Sequence, residues 1–379
     1  MVERPSMDNN KACGFAFFSL FLGLLLPSTT GRELKYVKAV YRHGDRSPLS
    51  SFPTNVVKED VWPQGFAQLT KLGMQQQYEL GQFIKERYKS FLSIDYKPNE
   101  IYVRSTDTDR TIMSAQANLA GLFPPQGSQI WNKDIPWQPV PVHTVPRSSE
   151  KLLYYPVRVE CRKYSQLLKE TFESQTVGGE VKNHMEFLGK MAAHMGYDLQ
   201  TALDYKSLKL WKAYDALVVQ KIHNQPRPDW AEDHAMDRLG KLLAFSLNAM
   251  FGVHKRVEKS RLQGGLLVKD ILDKMTEATQ ATDGRKMLMY SAHDVTLAAL
   301  QVALDVFKDH LPPFAACHFF ELYKEDNGEF AIEMYYRTST DAPPEQLILP
   351  GCEAACPLQK FKELVSPVVP EDWQAECNS

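Results

Sequence analysis

A strand-like run that leads directly into a polar loop occurs three times in this chain. The runs lie at 34–41, 100–103 and 286–290, and amphipathic helical spacing appears at 69–91 and 109–122. Strands that alternate with helices usually pair in parallel, because the helix crosses over the sheet before the next strand begins. The pattern therefore predicts an α/β fold whose three polar loops lie at one edge of the sheet.

Two later parts of the chain modify this picture. Strand-like runs at 319–323 and 330–336 flank Asn327-Gly328, a dipeptide typical of tight β-hairpins. Between 156 and 260, by contrast, strand signals nearly vanish and helical patterns dominate. We therefore predict an α/β fold with a mixed, mostly parallel sheet flanked by helices, an antiparallel hairpin at one edge, and a helical insertion domain.

The start of the chain has the layout of a secretory signal peptide. An apolar run at 13–26 follows a polar beginning and precedes small residues that end at Gly31. A helix of that length spans about 21 Å, which is shorter than the roughly 30 Å hydrocarbon core of a bilayer. We expect cleavage near Gly31, with a retained anchor as the alternative. No later run reaches membrane length, so the mature chain is expected to be soluble and to carry no membrane span.

The charge balance excludes some classes of partner. The formal net charge is −2 and the sequence pI is about 6.6, which does not suit a nucleic-acid or anionic-membrane partner. The strand and helix patterns assign most of the chain to one α/β domain with a helical insertion. The predicted parts are the signal peptide 1–31, a first α/β part 32–155, the helical insertion (cap) 156–260, and a second α/β part 261–379.

The three loops carry residue types that suit phosphoryl transfer. They contain Arg42-His43-Gly44-Asp45-Arg46, the segment 104–110, and His293-Asp294. Arginine offers phosphate oxygens a planar and permanently charged fork, and a neutral histidine can attack phosphorus. A protonated carboxyl group can give a proton to the departing oxygen. Gly44 would let the backbone come close to the bound group.

Each of these signals has a structural alternative when it is taken alone. A single histidine after a strand is more often structural than catalytic. The segment 104–110 is also typical of a helix start that Thr106 or Asp107 caps. The combination of all three loops at strand ends is what favours one shared pocket.

The run 42–48, with His293-Asp294 far downstream after a strand, resembles the signature of the histidine acid phosphatase family. Further segments are similar to the prostatic and lysosomal branch of that family, and the resemblance extends over nearly the whole chain after Arg32. These segments are 62–65, 102–107, 139–146, 261–265 and 349–352. The resemblance implies a phosphoglycerate-mutase-like α/β domain with a helical insertion.

The resemblance also implies a role for each residue at a matching position. His43 matches the nucleophile, and Asp294 matches the proton donor. The residues that match phosphate ligands are Arg42, Arg46, Arg110 and His293. Trp137 and His143 fall in the segment that supports a homodimer in similar proteins. Neither a metal nor an organic cofactor is implied.

The cysteines indicate an oxidising compartment. Six are present, and Cys13 would leave with the signal peptide. The remaining five are an odd number, so at least one thiol is free or bonded to another chain. Taken by themselves, Cys352 and Cys356 fit a small disulfide loop better than half of a metal site.

The resemblance implies the disulfides Cys161–Cys377 and Cys352–Cys356. Cys317 matches one half of a third bridge, but the segment in which its partner would fall, 214–220, contains no cysteine. We therefore expect Cys317 to be an unpaired, buried thiol.

Together these features predict an acid phosphatase that hydrolyses phosphate monoesters through a phosphohistidine at His43. One alternative is a phytase-like or phosphoglycerate-mutase-like phosphohydrolase, since these share the Arg-His-Gly core. The other is a catalytically silent secreted protein that binds phosphorylated ligands. The expected location is the extracellular space or the lysosomal lumen, and the expected partners are a phosphate monoester and a second copy of the chain.

Overall fold

The computed structural model describes residues 31–155, 161–281 and 283–379. The predicted signal peptide lies outside the described residues, apart from Gly31. Residues Arg32–Ser379 form one compact unit. The predicted division of this unit at 155/156 and 260/261 stays a prediction.

One sheet organises the described part of the chain. Its strand order is β2-β3-β1-β4-β5-β6, and a short β7 pairs with β5. The strands are β1 (Glu33–Arg42), β2 (Ile101–Ser105), β3 (Met287–Ala292), β4 (Cys317–Lys324), β5 (Phe330–Arg337), β6 (Glu345–Leu347) and β7 (Cys356–Pro357). The helices are α1 (Lys71–Arg87), α2 (Asp109–Leu122), α3 (Arg162–Glu173), α4 (Gln175–Asn183), α5 (Met185–Met195), α6 (Leu199–Leu203), α7 (Lys209–Ile222), α8 (Asp233–Phe251), α9 (Arg256–Leu262), α10 (Gly264–Ala278), α11 (Asp294–Ala303), α12 (Leu358–Val365) and α13 (Trp373–Asn378).

The predicted mixed sheet is confirmed, but the expected majority of parallel pairing is wrong. Strand β3 pairs in parallel with both β1 and β2, whereas the four other ladders of the described sheet are antiparallel. The hairpin of β4 and β5 also does not lie at an edge, because β4 pairs with β1 and β5 continues to β6 and β7. The long antiparallel ladder between β1 and β4 makes antiparallel pairing the more frequent kind in this sheet. No local sequence pattern encodes that ladder.

The hairpin turn differs in detail from a two-residue Asn-Gly turn. Gly328 has a φ of 86°, and it donates a hydrogen bond to the carbonyl of Glu325 at 2.9 Å. The amide of Glu325 in turn donates to the carbonyl of Glu329 at 2.8 Å. Only the glycine of the dipeptide therefore uses the left-handed conformation, in a connection longer than two residues.

Helices cover both faces of the sheet, which is why β1 is buried along most of its length. Tyr36 and Val40 of β1 share a core with residues of α10 and α12. Val37, Ala39 and Tyr41 share a second core with α1 and α2. Successive side chains of a strand point to opposite faces, so a strand covered on both sides reads as a continuous apolar run.

The segment 161–262 contains helices α3–α9 and no strand. A separate apolar cluster lies within it, and its buried members include Leu188, Leu217 and Leu239. Helix α7 ends near the first strand–loop junction, as described below. No helix among the described residues is long and apolar enough to cross a membrane.

The structure contains the two disulfides that the resemblance implies. Cys161, immediately before α3, bonds to Cys377 in α13, and Cys352 bonds to Cys356. Cys317 in β4 is the free cysteine of the described chain and is fully buried. Burial raises the pKa of its thiol, so Cys317 behaves as a small apolar residue.

Candidate active site

Two neighbouring parallel strands bring the two predicted catalytic loops together. The amide of His43, just after β1, donates to the carbonyl of Ala292 at the end of β3, with an N···O distance of 3.0 Å. His293 follows β3 directly, and its ring centroid lies 5.7 Å from that of His43. Asp294 then begins α11. The expectation that polar loops meet at the carboxyl ends of the strands therefore holds for these residues.

Gly44 makes a close contact within the protein that the sequence did not indicate. A Cβ atom at this position would lie 2.2 Å from the carbonyl oxygen of Gly73 in α1. The glycine thus permits close packing of the loop against α1; its expected role beside a bound group stays a prediction. The Gly44 amide donates to the Ser114 hydroxyl of α2 at 3.1 Å, which further fixes the loop.

The hydrogen bond of the His43 ring determines which nitrogen is available. Nδ1 lies 2.8 Å from the carbonyl oxygen of Gly44, which can only accept, so Nδ1 carries the proton. The Nε2 lone pair is then free to attack. Burial, together with the positive charges of Arg110, Arg42 and Arg46, holds the pKa of His43 well below its usual value. The lowered pKa favours the neutral form of the His43 ring, the form that an attack on phosphorus requires.

Three buried or partly buried arginines surround this histidine. Arg42 donates to the carbonyl of Pro312 at 2.6 Å, and its guanidinium carbon lies 4.0 Å from the centroid of the Phe314 ring. Arg110, at the start of α2, lies 3.4 Å from Nδ1 of His293. The Nε atoms of Arg42, Arg46 and Arg110 are all buried without a hydrogen-bond partner in the described structure. Unpaired buried donors are costly, so this cluster is arranged for an anion.

His293 carries its proton on the opposite nitrogen from His43. Arginine can only donate, so Nδ1 of His293 accepts from Arg110, and Nε2 donates to the Thr106 hydroxyl at 3.0 Å. Burial and the charge of Arg110 lower the pKa of His293 well below its usual value, which keeps the ring neutral. Thr106 therefore orients His293 and does not cap α2, whose N-cap residue is Thr108.

Asp294 lies at the rim of the cluster, and its side chain is 18% exposed. One carboxylate oxygen is 3.0 Å from the Arg42 guanidinium, and the other accepts from the Val295 amide at 2.8 Å. Burial disfavours the charged form, but Arg42 and Arg46 outweigh this and lower the pKa of the carboxyl group. Asp294 is therefore ionised in this arrangement, and it needs added negative charge nearby before it can act as an acid.

Several contributors to the site were absent from the sequence-based prediction, among them Asp215, Phe314 and Tyr154, whose ring lies edge-on to His293. Asp215 of α7 pairs with Arg46, and Phe314 packs against Arg42 and lies 5.9 Å from His43, measured between ring centroids. The one available signal for Asp215 was a carboxylate among Ala213, Ala216 and Leu217 on the apolar side of a predicted helix. Phe314 lies in an irregular segment and gave no signal.

The two residues expected at a dimer interface are not part of this cluster. His143 extends the sheet at β2, where its carbonyl accepts from the Ser105 amide at 2.8 Å, and its ring stacks on Tyr102. The carbonyl of Trp137 accepts from the indole of Trp131, which is itself 57% exposed. His143 thus lies along the outer side of edge strand β2, and Trp137 lies in the segment that precedes His143.

These features define a phosphohydrolase-like site on a mixed α/β sheet, and comparison with known proteins agrees. Residues 33–337 match the histidine phosphatase superfamily (branch 2), and the chain belongs to that superfamily. It is 49% identical over 368 residues to prostatic acid phosphatase of Homo sapiens, covering 96% of this chain and 92% of that protein. It is 47% identical over 365 residues to lysosomal acid phosphatase of Homo sapiens, covering 96% and 85% respectively. The predicted family and enzyme class, acid phosphatase, are thereby confirmed.

Solved structures show the same fold at low sequence identity. Hafnia alvei phytase in its apo form superposes with a TM-score of 0.68 at 17% identity, covering 92% of this chain and 98% of that one. The multiple inositol polyphosphate phosphatase of Bifidobacterium longum, in complex with inositol hexasulfate, gives a TM-score of 0.55 at 14% identity, covering 91% and 95%. At such identities the likeness concerns the fold alone.

Proposed function

We propose that the chain hydrolyses phosphate monoesters at acidic pH by passing the phosphoryl group through His43. One observation carries the assignment of roles: three arginines with unpartnered, buried Nε donors surround a histidine whose Nε2 is unprotonated. Donors that lack a partner in the protein are suited to the oxygens of a phosphoryl group, whose charge they stabilise in the transition state.

The reaction proceeds in two steps. Nε2 of His43 attacks phosphorus, the bond from phosphorus to the ester oxygen breaks, and protonated Asp294 gives its proton to the departing alcohol. Water then attacks the phosphohistidine while the Asp294 carboxylate takes a proton from that water. The nitrogen–phosphorus bond breaks, inorganic phosphate leaves, and neutral His43 is restored.

The charges in the site suit an anionic substrate. Arg42, Arg46 and Arg110 place three positive charges around His43, and the carboxylates of Asp215 and Asp294 pair with Arg46 and Arg42. The guanidiniums act on a bound substrate in a poorly solvated setting, where Coulomb interactions are stronger than in water. His293, which the resemblance assigns to the phosphate ligands, contributes in this scheme through Arg110, because its Nδ1 lies 3.4 Å from that guanidinium and its Nε2 contacts Thr106.

The assigned residues also bear on the two alternatives. A phytase-like substrate preference has only the shared fold in its favour, whereas relatives at nearly half identity are named acid phosphatases. A silent binding protein has no need for a nucleophile with a free Nε2 beside a carboxyl group that can shuttle a proton. The simple monoester phosphatase therefore fits these residues best.

We also propose that the mature chain is secreted or lies in the lysosomal lumen, and that it forms a homodimer through the surface of Trp137 and His143. Two disulfides suit an oxidising compartment, and the relatives include both prostatic and lysosomal enzymes. Exposed aromatic surface near the edge of β2 suits a protein–protein contact.

Trapping of the covalent intermediate tests the mechanism. During turnover of radiolabelled p-nitrophenyl phosphate, an alkaline denaturing quench should preserve label on the peptide that contains His43. His43→Ala should abolish both label and turnover, and His234→Ala, which changes an exposed histidine of α8, should alter neither. Substantial turnover by folded His43→Ala protein would refute the role of His43, and an inactive wild type would favour the silent binding protein.

A further inference from the structure

Helix α7, in the strand-free segment, reaches the loop that holds the nucleophile. Asp215 lies in the middle of α7 and is only 9% exposed. Its two carboxylate oxygens accept from the two terminal nitrogens of Arg46 at 2.9 and 2.8 Å. One of these oxygens also accepts from the backbone amide of Leu49 at 2.9 Å. A single carboxylate thus fixes both the side chain of Arg46 and the backbone just beyond the motif.

The donors of Arg46 can be counted one by one. Its guanidinium has five N–H groups: two on each terminal nitrogen and one on Nε. Nη1 donates both of its N–H groups, one to Asp215 and one to the carbonyl of Ser47 at 3.1 Å. Nη2 donates one of its two N–H groups to Asp215. The Nε–H group, which is buried without a partner in the described structure, and the second Nη2–H group remain. These two lie on the same edge of the guanidinium and form a fork that fits two oxygens of one phosphoryl group.

The electrostatic setting of Arg46 differs from that of the other two arginines. Burial lowers the pKa of Arg42, and burial together with the charge of Arg46 lowers the pKa of Arg110 to about 10. For Arg46 burial acts in the same direction, but the paired Asp215 outweighs it and raises the pKa. Asp294 and Asp45 act on the pKa of Arg46 in the same direction as Asp215, but more weakly.

A second contact from the end of α7 reaches the neighbouring residue of the motif. His223, which ends the helix, lies with Nε2 2.6 Å from the carboxylate of buried Asp45. The Thr70 hydroxyl, at the start of α1, donates to the same oxygen at 2.5 Å. Asp45 and Arg46 are therefore both held by contacts from α7 and its C-terminal cap.

We propose that Asp215 is a positioning residue for the phosphatase reaction, which aims the free edge of Arg46 at the phosphoryl group. The inference rests on the proposed function. Asp215 acts through Arg46 and does not touch the substrate. His223 supports the same loop through Asp45, so the strand-free segment supplies part of the active-site framework.

Replacement of Asp215 by asparagine tests this role. Asp215→Asn keeps the side-chain volume, but its amide nitrogen cannot accept, so only one contact to Arg46 survives. We expect kcat/KM for p-nitrophenyl phosphate to fall at least tenfold, and competitive inhibition by inorganic phosphate to weaken by a similar factor. Glu321→Gln is the matched control, because Glu321 is a buried partner of Arg87 away from the site. That variant should lose thermal stability and keep kcat/KM.

A double-mutant comparison separates positioning from general stability. In an Arg46→Gln background, Asp215→Asn should change kcat/KM by less than twofold, because its effect passes through Arg46. Losses that multiply in the double variant would overturn the inference, as would a folded Asp215→Asn protein with wild-type kinetics and phosphate inhibition. If Asp215→Asn does not fold, Asp215→Glu keeps the charge but displaces it, and the same losses are expected. An inactive wild type would instead refute the proposed function itself.

Discussion

Binding of a tetrahedral dianion should place a proton on Asp294. Arg42, 3.0 Å from this carboxylate, and Arg46 together lower its pKa. A bound dianion engages the same guanidiniums and adds negative charge beside the carboxyl group, so the protonated form becomes favoured. The proton that the leaving group needs is thus acquired at the moment of binding. Because the lowered pKa of His43 favours its neutral form, both groups reach their working forms on the acidic side of neutrality.

The strength of the coupling between anion binding and protonation of Asp294 follows from the distance between the two charges. An anion oxygen held by the Arg42 guanidinium would lie about 4 Å from the Asp294 carboxylate. Two unit charges at that distance interact by about 4 kcal/mol at an effective dielectric constant of roughly 20. Since about 1.4 kcal/mol is a factor of ten, affinity at low pH can exceed affinity at high pH by up to about a thousandfold. Between these limits, linkage gives up to about a tenfold gain in affinity for each unit fall in pH.

Sulfate is the best probe, because its charge stays constant across this pH range. Calorimetric titrations between about pH 4 and 6.5, in two buffers of different ionisation enthalpy, should reveal proton uptake approaching about one per anion bound. His43 can also gain a proton when an anion arrives, so Asp294→Asn is the necessary comparison. That variant should take up fewer protons per sulfate bound, because it lacks the carboxyl group of Asp294. Equal uptake and an equal pH slope in both proteins would refute the reasoning.

Two further predictions concern the leaving group and the long disulfide. Asp294→Asn should slow alkyl ester hydrolysis by about a hundredfold or more in steady-state assays, and p-nitrophenyl phosphate hydrolysis much less, because nitrophenolate leaves without a proton. Equal losses on both substrates would exclude the acid role. Cys161→Ser combined with Cys377→Ser opens a bridge across a sequence separation of 216 residues, and the chain-entropy relation gives a loss of about 5 kcal/mol. Denaturant titration measures it, and unchanged stability would contradict the entropic account.

Much of the architecture was predictable, because it depends on local periodicity. Helix α2 spans the predicted 109–122 without a shift, and β1, β2 and β3 each fall within two residues of the predicted ends. The meeting of His43 with His293 followed from one rule, that parallel strands end at the same edge of a sheet. Wherever the chemistry lies directly after a strand, sequence reasoning found it.

The remainder depends on contacts between distant segments, which local patterns do not encode. Asp215 and Arg46 are 169 residues apart, and only packing of α7 against the loop brings them together. The ladder between β1 and β4 likewise reverses the expected balance of pairing without any local signal. The steric reason for Gly44, its contact with α1, also became visible only in three dimensions.

The adjacency of β1 and β3 has a consequence for when activity can first arise. Paired residues of these strands, such as Val37 and Met287, are about 250 residues apart, and the His43 amide donates to the carbonyl of Ala292 across that ladder. During synthesis, His43 would therefore leave the ribosome long before the strand that it pairs with. Arg110 and His293, which contact each other in the folded chain, are separated by 183 residues. Contacts of such long range form slowly and late. The chain therefore cannot assemble this cluster until β3 and the residues directly after it have been made.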